Sequence, residues 1–123
     1  MELVVELYRL TDVFPDSERF GLTSQIRRAA VSIPANIAEG YGRRSPASYA
    51  YFLRISKGST NEIETMLIVA QRLGYAYDVK SLSEETSRIG AMLTGLLRHV
   101  EQKMVREDGT AYLAGSTGEN EPH

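Results

Sequence analysis

The sequence predicts an all-α fold, an antiparallel up-down-up-down four-helix bundle, and three observations carry that expectation. Apolar residues recur at spacings of three and four along most of the chain, the period of an amphipathic helix. Short stretches holding Pro, Gly, Ser or Asp separate the patterned segments, and such residues punctuate helices. The link from Gly42 to Ser45 is so short that the second and third helices must run antiparallel.

Residues 2–11 place Leu3, Val4, Leu7, Tyr8 and Leu10 on one face, and a first, short helix is expected there. Pro15 fixes its own φ and disfavours helix at Phe14, so a turn through Pro15, Asp16 and Ser17 follows. From Leu22 the set Leu22, Ile26, Ala29, Ala30, Ile33 and Ile37 repeats at helical spacing, with Thr23 or Ser24 as the expected cap. Pro34 lies inside this run and removes a backbone donor, but Ile33 and Ile37 stay in phase across it, which predicts a kinked continuous helix. Gly40 and Gly42 are expected to stop it, because glycine takes the left-handed angles of a helix C-terminus.

Ser45-Pro46 predicts the next start, Ser supplying the cap oxygen and Pro the first helical position. The third helix is expected to be the longest. Its stripe runs Tyr49, Phe52, Leu53, Ile63, Met66, Leu67, Ala70 and Leu73, crossed by the small residues Ser56, Gly58, Ser59 and Thr60, and Gly74 ends it. Ser81-Leu82-Ser83-Glu84 reads as a capping box. After it Leu82, Ile89 and Leu96 alternate with Thr86, Leu93 and Val100 in a heptad-like seam to about Met104. Residues 1–104 are therefore expected to form the bundle, and residues 105–123, rich in Gly, Ser, Thr and Glu toward their end, a disordered polar tail.

A chain of 123 residues fits one domain, and a domain of this size buries roughly two-thirds of its unfolded surface. The absence of cysteine removes disulfides, thiolate metal sites and a cysteine nucleophile, and points to the cytoplasm. The apolar runs, such as Met66-Leu67-Ile68-Val69-Ala70, are far too short for a membrane span, and Met1-Glu2-Leu3 lacks the order of a signal peptide.

No catalytic constellation emerges. Glu62 and Glu64 are two apart on a helix and point in different directions. Gly40-Tyr41-Gly42-Arg43-Arg44-Ser45 resembles a phosphate loop only superficially, because it follows a helix and lacks the lysine. His99 is the one histidine of the expected fold, without a Cys or second His for a metal. The expectation is a protein that is not an enzyme, with no cofactor, no metal and no small-molecule substrate.

The net charge of −2 hides an uneven distribution. Between residues 19 and 57, Arg19, Arg27, Arg28, Arg43, Arg44, Arg54 and Lys57 face Glu39 alone. Of these, Arg27, Arg28, Arg43, Arg44, Arg54 and Lys57 are the candidate phosphate-binding surface, with Arg43 and Arg44 the best placed for exposed contacts. The competing reading pairs them with Glu39, Glu62 or Glu64. On a helical wheel, Val31, Ala35 and Ala38 cluster opposite the core face of the second helix, an outward apolar surface that predicts a subunit interface. Gln25, Ser32, Asn36 and Glu39 along one flank suggest a polar network with Arg28 or the Ser59 region.

The run from Glu18 to Arg43, reading ERFGLTSQIRRAAVSIPANIAEGYGR, with Phe52-Leu53-Arg54-Ile55-Ser56-Lys57-Gly58-Ser59, Glu62 and Glu64-Thr65 after it, closely resembles the four-helix-bundle family of ribosomal RNA intervening-sequence proteins. The resemblance extends over about residues 2–103. It implies an antiparallel bundle, commonly a ring-like pentamer without enzymatic activity, from inserts in large-subunit ribosomal RNA genes or elsewhere in bacterial genomes. A similar branch, the accessory variability determinant proteins of diversity-generating retroelements, partners a reverse transcriptase and binds nucleic acid through a basic surface. The expected function is a non-catalytic homo-oligomer, a pentamer by resemblance, that binds RNA or DNA or a nucleic-acid enzyme. The alternative is a protein-interaction scaffold without nucleic-acid binding.

Overall fold

The computed structural model describes residues 1–113 of the chain, with side chains over residues 1–106. Helices form where the apolar periodicity lies: α1 (Glu2–Thr11), α2 (Leu22–Gly42), α3 (Pro46–Arg72) and α4 (Lys80–Leu113), with one 3-10 turn at Asp16–Glu18. Among the described residues there is no strand, and no helix is long and apolar enough to cross a membrane. Each helix packs on its neighbours in sequence and α1 closes against α4, while among the described residues the diagonal pairs do not bring their backbones together. That cyclic order is the four-helix bundle. Contacts between α2 and α3 run in opposite directions along the chain: Ser32 meets Ser59, Ile33 meets Ser56, and Gly40 meets Tyr49 and Phe52.

Leu7, Ile26, Leu53, Ile63 and Leu67 are fully buried at the centre, each contributing about 1.5–3 kcal/mol of hydrophobic free energy relative to exposure. Buried positions on α4 follow the expected heptad seam, with Thr86, Leu93 and Val100 inside and Leu82, Ile89 and Leu96 packed at its edge. Leu73, expected on the stripe of α3, is exposed, because α3 has already ended at Arg72.

Helix ends depart from the sequence reading in instructive ways. Neither Thr23 nor Ser24 caps α2. Its first N–H, that of Leu22, donates to Glu18 Oε1 at 2.9 Å, and Glu18 Oε2 accepts from the Tyr75 hydroxyl at 2.9 Å. The Leu22 N–H and then the Tyr75 hydroxyl hold the Glu18 carboxyl below its ordinary value, while the Glu18 carboxylate pushes the Tyr75 phenol up. Tyr75 is delivered by the end of α3: Gly74, at φ 82°, donates to the Gln71 carbonyl and Tyr75 N–H to the Ala70 carbonyl, a Schellman motif. Ser45 caps α3 as expected, its Oγ accepting from Ser48 N–H at 3.0 Å, with Pro46 at the first position. α4 begins before the expected capping box, its Lys80 N–H donating to Asp78 Oδ1 at 2.9 Å. It continues through Leu113 rather than ending near Met104; nothing in this stretch forbids helix, and Gly109 alone costs only about 1 kcal/mol. The part of the expected tail from residue 114 onward lies outside the described residues.

α2 is continuous through Pro34. Gly40 does not stop it. Gly40 is buried within the helix, and a Cβ there would stand 2.8 Å from Phe52 Cβ and 3.3 Å from Tyr49 Cα, so glycine is what lets α2 and α3 approach so closely. The left-handed residue after the helix is Arg44, at φ 63°.

Two outcomes follow from these local structures. Gly40→Ala should lose about 1–2 kcal/mol of stability although alanine favours helix, because the clash outweighs propensity; Gly95→Ala, where a Cβ meets nothing within 4 Å, should gain about 0.5–1 kcal/mol. Urea unfolding of both variants checks the opposite signs. Because the Glu18 carboxyl is held low, its stabilising effect is present above the ordinary carboxylate range and lost as pH falls through the lowered value. Glu18→Gln should therefore flatten the acid limb of a Tm-against-pH curve, and an unchanged acid limb would assign that loss to other carboxylates.

Candidate functional site

The six candidate cations are carried by α2, the hairpin after it and α3, and the packing sends them in different directions. Arg27 turns back onto α1. Its Nε donates to Thr11 Oγ1 at 2.7 Å and its terminal nitrogen to the Tyr8 carbonyl at 3.2 Å; its guanidinium lies 4.6 Å from the Tyr8 ring centroid, with Asp12 at 3.8 Å. Thr11 in turn donates to the Leu7 carbonyl at 2.9 Å, so Arg27 clamps the end of α1. Arg28 is exposed one residue further round, its guanidinium donating to Ser24 Oγ at 3.2 Å.

Arg28 borders an open groove of about 630 Å³ between α2 and α3, whose walls include Ser32, Ile55, Gly58 and Glu62. Ser32 and Ser59 of the groove lining are hydrogen-bonded: Asn36 Nδ2 donates to Ser32 Oγ and to the Ser32 carbonyl, both at 2.8 Å, and Ser59 Oγ donates to Ser32 Oγ at 2.9 Å. Beneath them Ser56 Oγ donates to the Ile33 carbonyl at 2.9 Å. Gln25 and Glu39, expected in the same network, are exposed and stand outside it. Val31, Ala35 and Ala38 form an exposed stripe along α2, with Val31 at 44% of its full exposure.

At the other end of α2 the three-residue link to α3 presents Arg43 and Arg44. Arg43 Nε donates to Glu39 Oε2 at 2.9 Å and its guanidinium lies 5.1 Å from the Phe52 ring centroid. Arg44 is exposed, and among the described residues it makes no ion pair or side-chain hydrogen bond. Further along α3, Arg54 reaches Glu101 of α4 at 3.7 Å, and Lys57 Nζ donates to Asn61 Oδ1 at 3.3 Å. The cations thus fall into an α1 clamp, a groove edge, a hairpin tip and an α4-facing pair. Glu62 and Glu64, the other expected partners, form none of the observed ion pairs.

Below the hairpin tip is a smaller cleft of about 240 Å³, lined by Tyr41, Arg44 and Tyr49 from the hairpin and by His99, Val100 and Lys103 from α4. His99 and Lys103 are four apart and share a face of one helix, a signal available in the sequence. Their meeting with Arg44 depends on how α4 packs, which the sequence does not spell out. Among the described residues, no group of three or more His, Cys, Asp or Glu could hold a metal ion.

A family model described as 23S rRNA-intervening sequence protein matches residues 1–95. No curated protein matches the chain at a significant level. The matched span holds all six candidate cations and the Val31, Ala35 and Ala38 stripe, and it stops short of His99 and Lys103.

Arg27→Ala should cost about 1–3 kcal/mol, because it strips a charged donor from Thr11 and the Tyr8 carbonyl. Chemical denaturation checks the loss, and hydrogen exchange of the Leu7–Thr11 amides should show that it is concentrated at the end of α1.

Proposed function

The chain belongs to the 23S rRNA-intervening sequence protein family, and from that premise we propose that it is a non-catalytic homo-oligomer, a ring of five copies, that binds RNA or DNA through the basic surface around the α2–α3 hairpin. The observation that carries this reading is Arg44, an exposed cation at the hairpin tip with no partner among the described residues. A planar guanidinium there suits phosphate geometry. Repetition around a ring would multiply one contact into several, each adding to the counterions released.

Self-assembly is supported by the stripe of Val31, Ala35 and Ala38. Small apolar side chains at exposed helix positions let a second backbone approach closely, and Ile55, 38% exposed across the groove, extends the apolar area. A closed ring needs a heterologous contact, one surface of each copy against a different surface of the next. The stripe would be one half of such a contact.

A scaffold without nucleic-acid binding is the second reading, favoured by the pairs Arg43–Glu39 and Arg54–Glu101. The magnitudes weigh against it. Exposed ion pairs are worth about 0.2–1 kcal/mol, so a polyanion can displace these carboxylates at little cost.

The test is binding of the purified protein to labelled structured RNA and to duplex DNA across a salt series, with mass followed by light scattering. Micromolar or tighter affinity that falls steeply with salt is expected, together with a mass of several copies. Val31→Arg should lower the mass to that of the monomer while leaving helical content unchanged. No binding at low salt would make the scaffold the better reading, and an unaltered mass for Val31→Arg would move the interface off this stripe.

A further inference from the structure

We propose that the cleft beneath the α2–α3 hairpin is a site for a single nucleotide, with the base against Tyr41 and Tyr49 and the phosphate among Arg44, His99 and Lys103. The inference rests on the nucleic-acid reading above and sharpens it from a charged surface to a defined cleft. At about 240 Å³ the cleft is smaller than the usual range of pockets for drug-sized ligands. Because it is open, one unpaired nucleotide can lie across it only partly enclosed, with its base and its phosphate touching different parts of the lining.

Its lining combines two chemistries. Tyr41 and Tyr49 are aromatic: Tyr41, 72% exposed, stands edge-on to half-buried Tyr49 with ring centroids 5.8 Å apart at 72°. Bases stack on such platforms irrespective of sequence. Arg44 from the hairpin and Lys103 from α4 bring positive charge, His99 stands one turn from Lys103, and no carboxylate lines the cleft among the described residues. Arg44, His99 and Lys103 are all exposed there, and none makes an ion pair or side-chain hydrogen bond among the described residues. The cleft also borders Ser45 and Pro46, the start of the 27-residue α3, whose dipole adds partial positive charge beside Arg44.

Arg44 supplies an independent observation. Its φ of 63° is a conformation that costs a residue carrying a Cβ about 1–2 kcal/mol and that Gly or Asn adopts more readily. A link whose only task is to turn the chain would be better served by either. Holding arginine there keeps a guanidinium over the cleft at a cost in stability, the pattern of strain found at binding sites.

The test uses the full chain in two assays. One is calorimetric titration with a nucleoside 5′-monophosphate and, separately, with inorganic phosphate; the other is fluorescence anisotropy with a labelled single-stranded oligonucleotide. Arg44→Asn removes the charge while accepting the left-handed backbone, Tyr41→Ala removes the wall, and Arg72→Gln, at the far end of α3, is the charge control. The monophosphate should bind and inorganic phosphate should bind far more weakly, with Arg44→Asn and Tyr41→Ala each weakening the monophosphate about tenfold and Arg72→Gln leaving it unchanged. Thermal melts of the variants keep misfolding from imitating this result. Strand binding that survives both cleft variants unweakened would overturn the cleft and leave the basic-surface reading standing. Monophosphate binding lost in those variants, without any strand binding, would uphold the cleft and overturn the strand reading. Equal affinity for inorganic phosphate and monophosphate would overturn the nucleotide assignment, as would binding of neither.

Discussion

The closeness of α2 to α3 is the constraint on which the rest of this molecule depends. In mid-helix α2 meets α3 through small residues, Ser32 with Ser59 and Ser56 with the Ile33 carbonyl, and near its end Gly40 lies where a Cβ would collide with Phe52. Large side chains would hold the axes apart, and only small ones allow this approach. The hydroxyls do not remain unsatisfied in the tight space, because Ser56 donates to the Ile33 carbonyl and Ser59 to Ser32. A hairpin drawn this tight must turn within Arg43–Ser45, which forces one residue into the left-handed region and presents Arg44 at the tip.

The fold was legible because its main signal is redundant. Ile26, Ala29, Ala30 and Ile33 on α2, or Thr86, Leu93 and Val100 on α4, each repeat the same periodic message, and a misjudged single residue changes nothing. Helix ends lack that redundancy. Thr23 and Ser24 are plausible caps by type, yet the acceptor at the start of α2 is Glu18, a residue held in place by Tyr75 from the other end of the chain's third helix. Gly40 is a plausible terminator by type, yet its smallness serves packing against Phe52. Both readings missed because a tertiary neighbour decides: Tyr75 fixes the Glu18 carboxylate that receives the Leu22 N–H, and Phe52 of α3 packs where a Cβ on Gly40 would stand.

The same distinction governs the candidate site. That basic residues gather between positions 19 and 57 is plain in the sequence. Which of them are available is a tertiary matter. Arg27 and Arg28 are neighbours of identical type, but the helix rotates one toward Thr11 and Tyr8 and the other toward an open groove. His99 and Lys103 lie outside the basic segment and join Arg44 only because α4 packs against the hairpin. A segment-by-segment charge count has no means of finding them.

A net charge of −2 does not oppose anion binding at the hairpin, and the reason is one of range. Screening at physiological salt confines the influence of exposed charges to about 8 Å, so a bound phosphate responds to the groups beside it and little to the chain's total. Around the hairpin cleft those groups are Arg44, Lys103 and His99, with no lining carboxylate among the described residues. The acids nearest in sequence are differently disposed: Glu39 is held by Arg43, and Glu101 by Arg54. Each of those pairs removes a cation from the candidate surface, and each also cancels a carboxylate that would otherwise repel a phosphate. Ion pairing around the hairpin therefore does not simply subtract from an anion site. Glu39 and Glu101 each already face a cation, and among the described residues lining the cleft the charges of Arg44 and Lys103 meet no carboxylate.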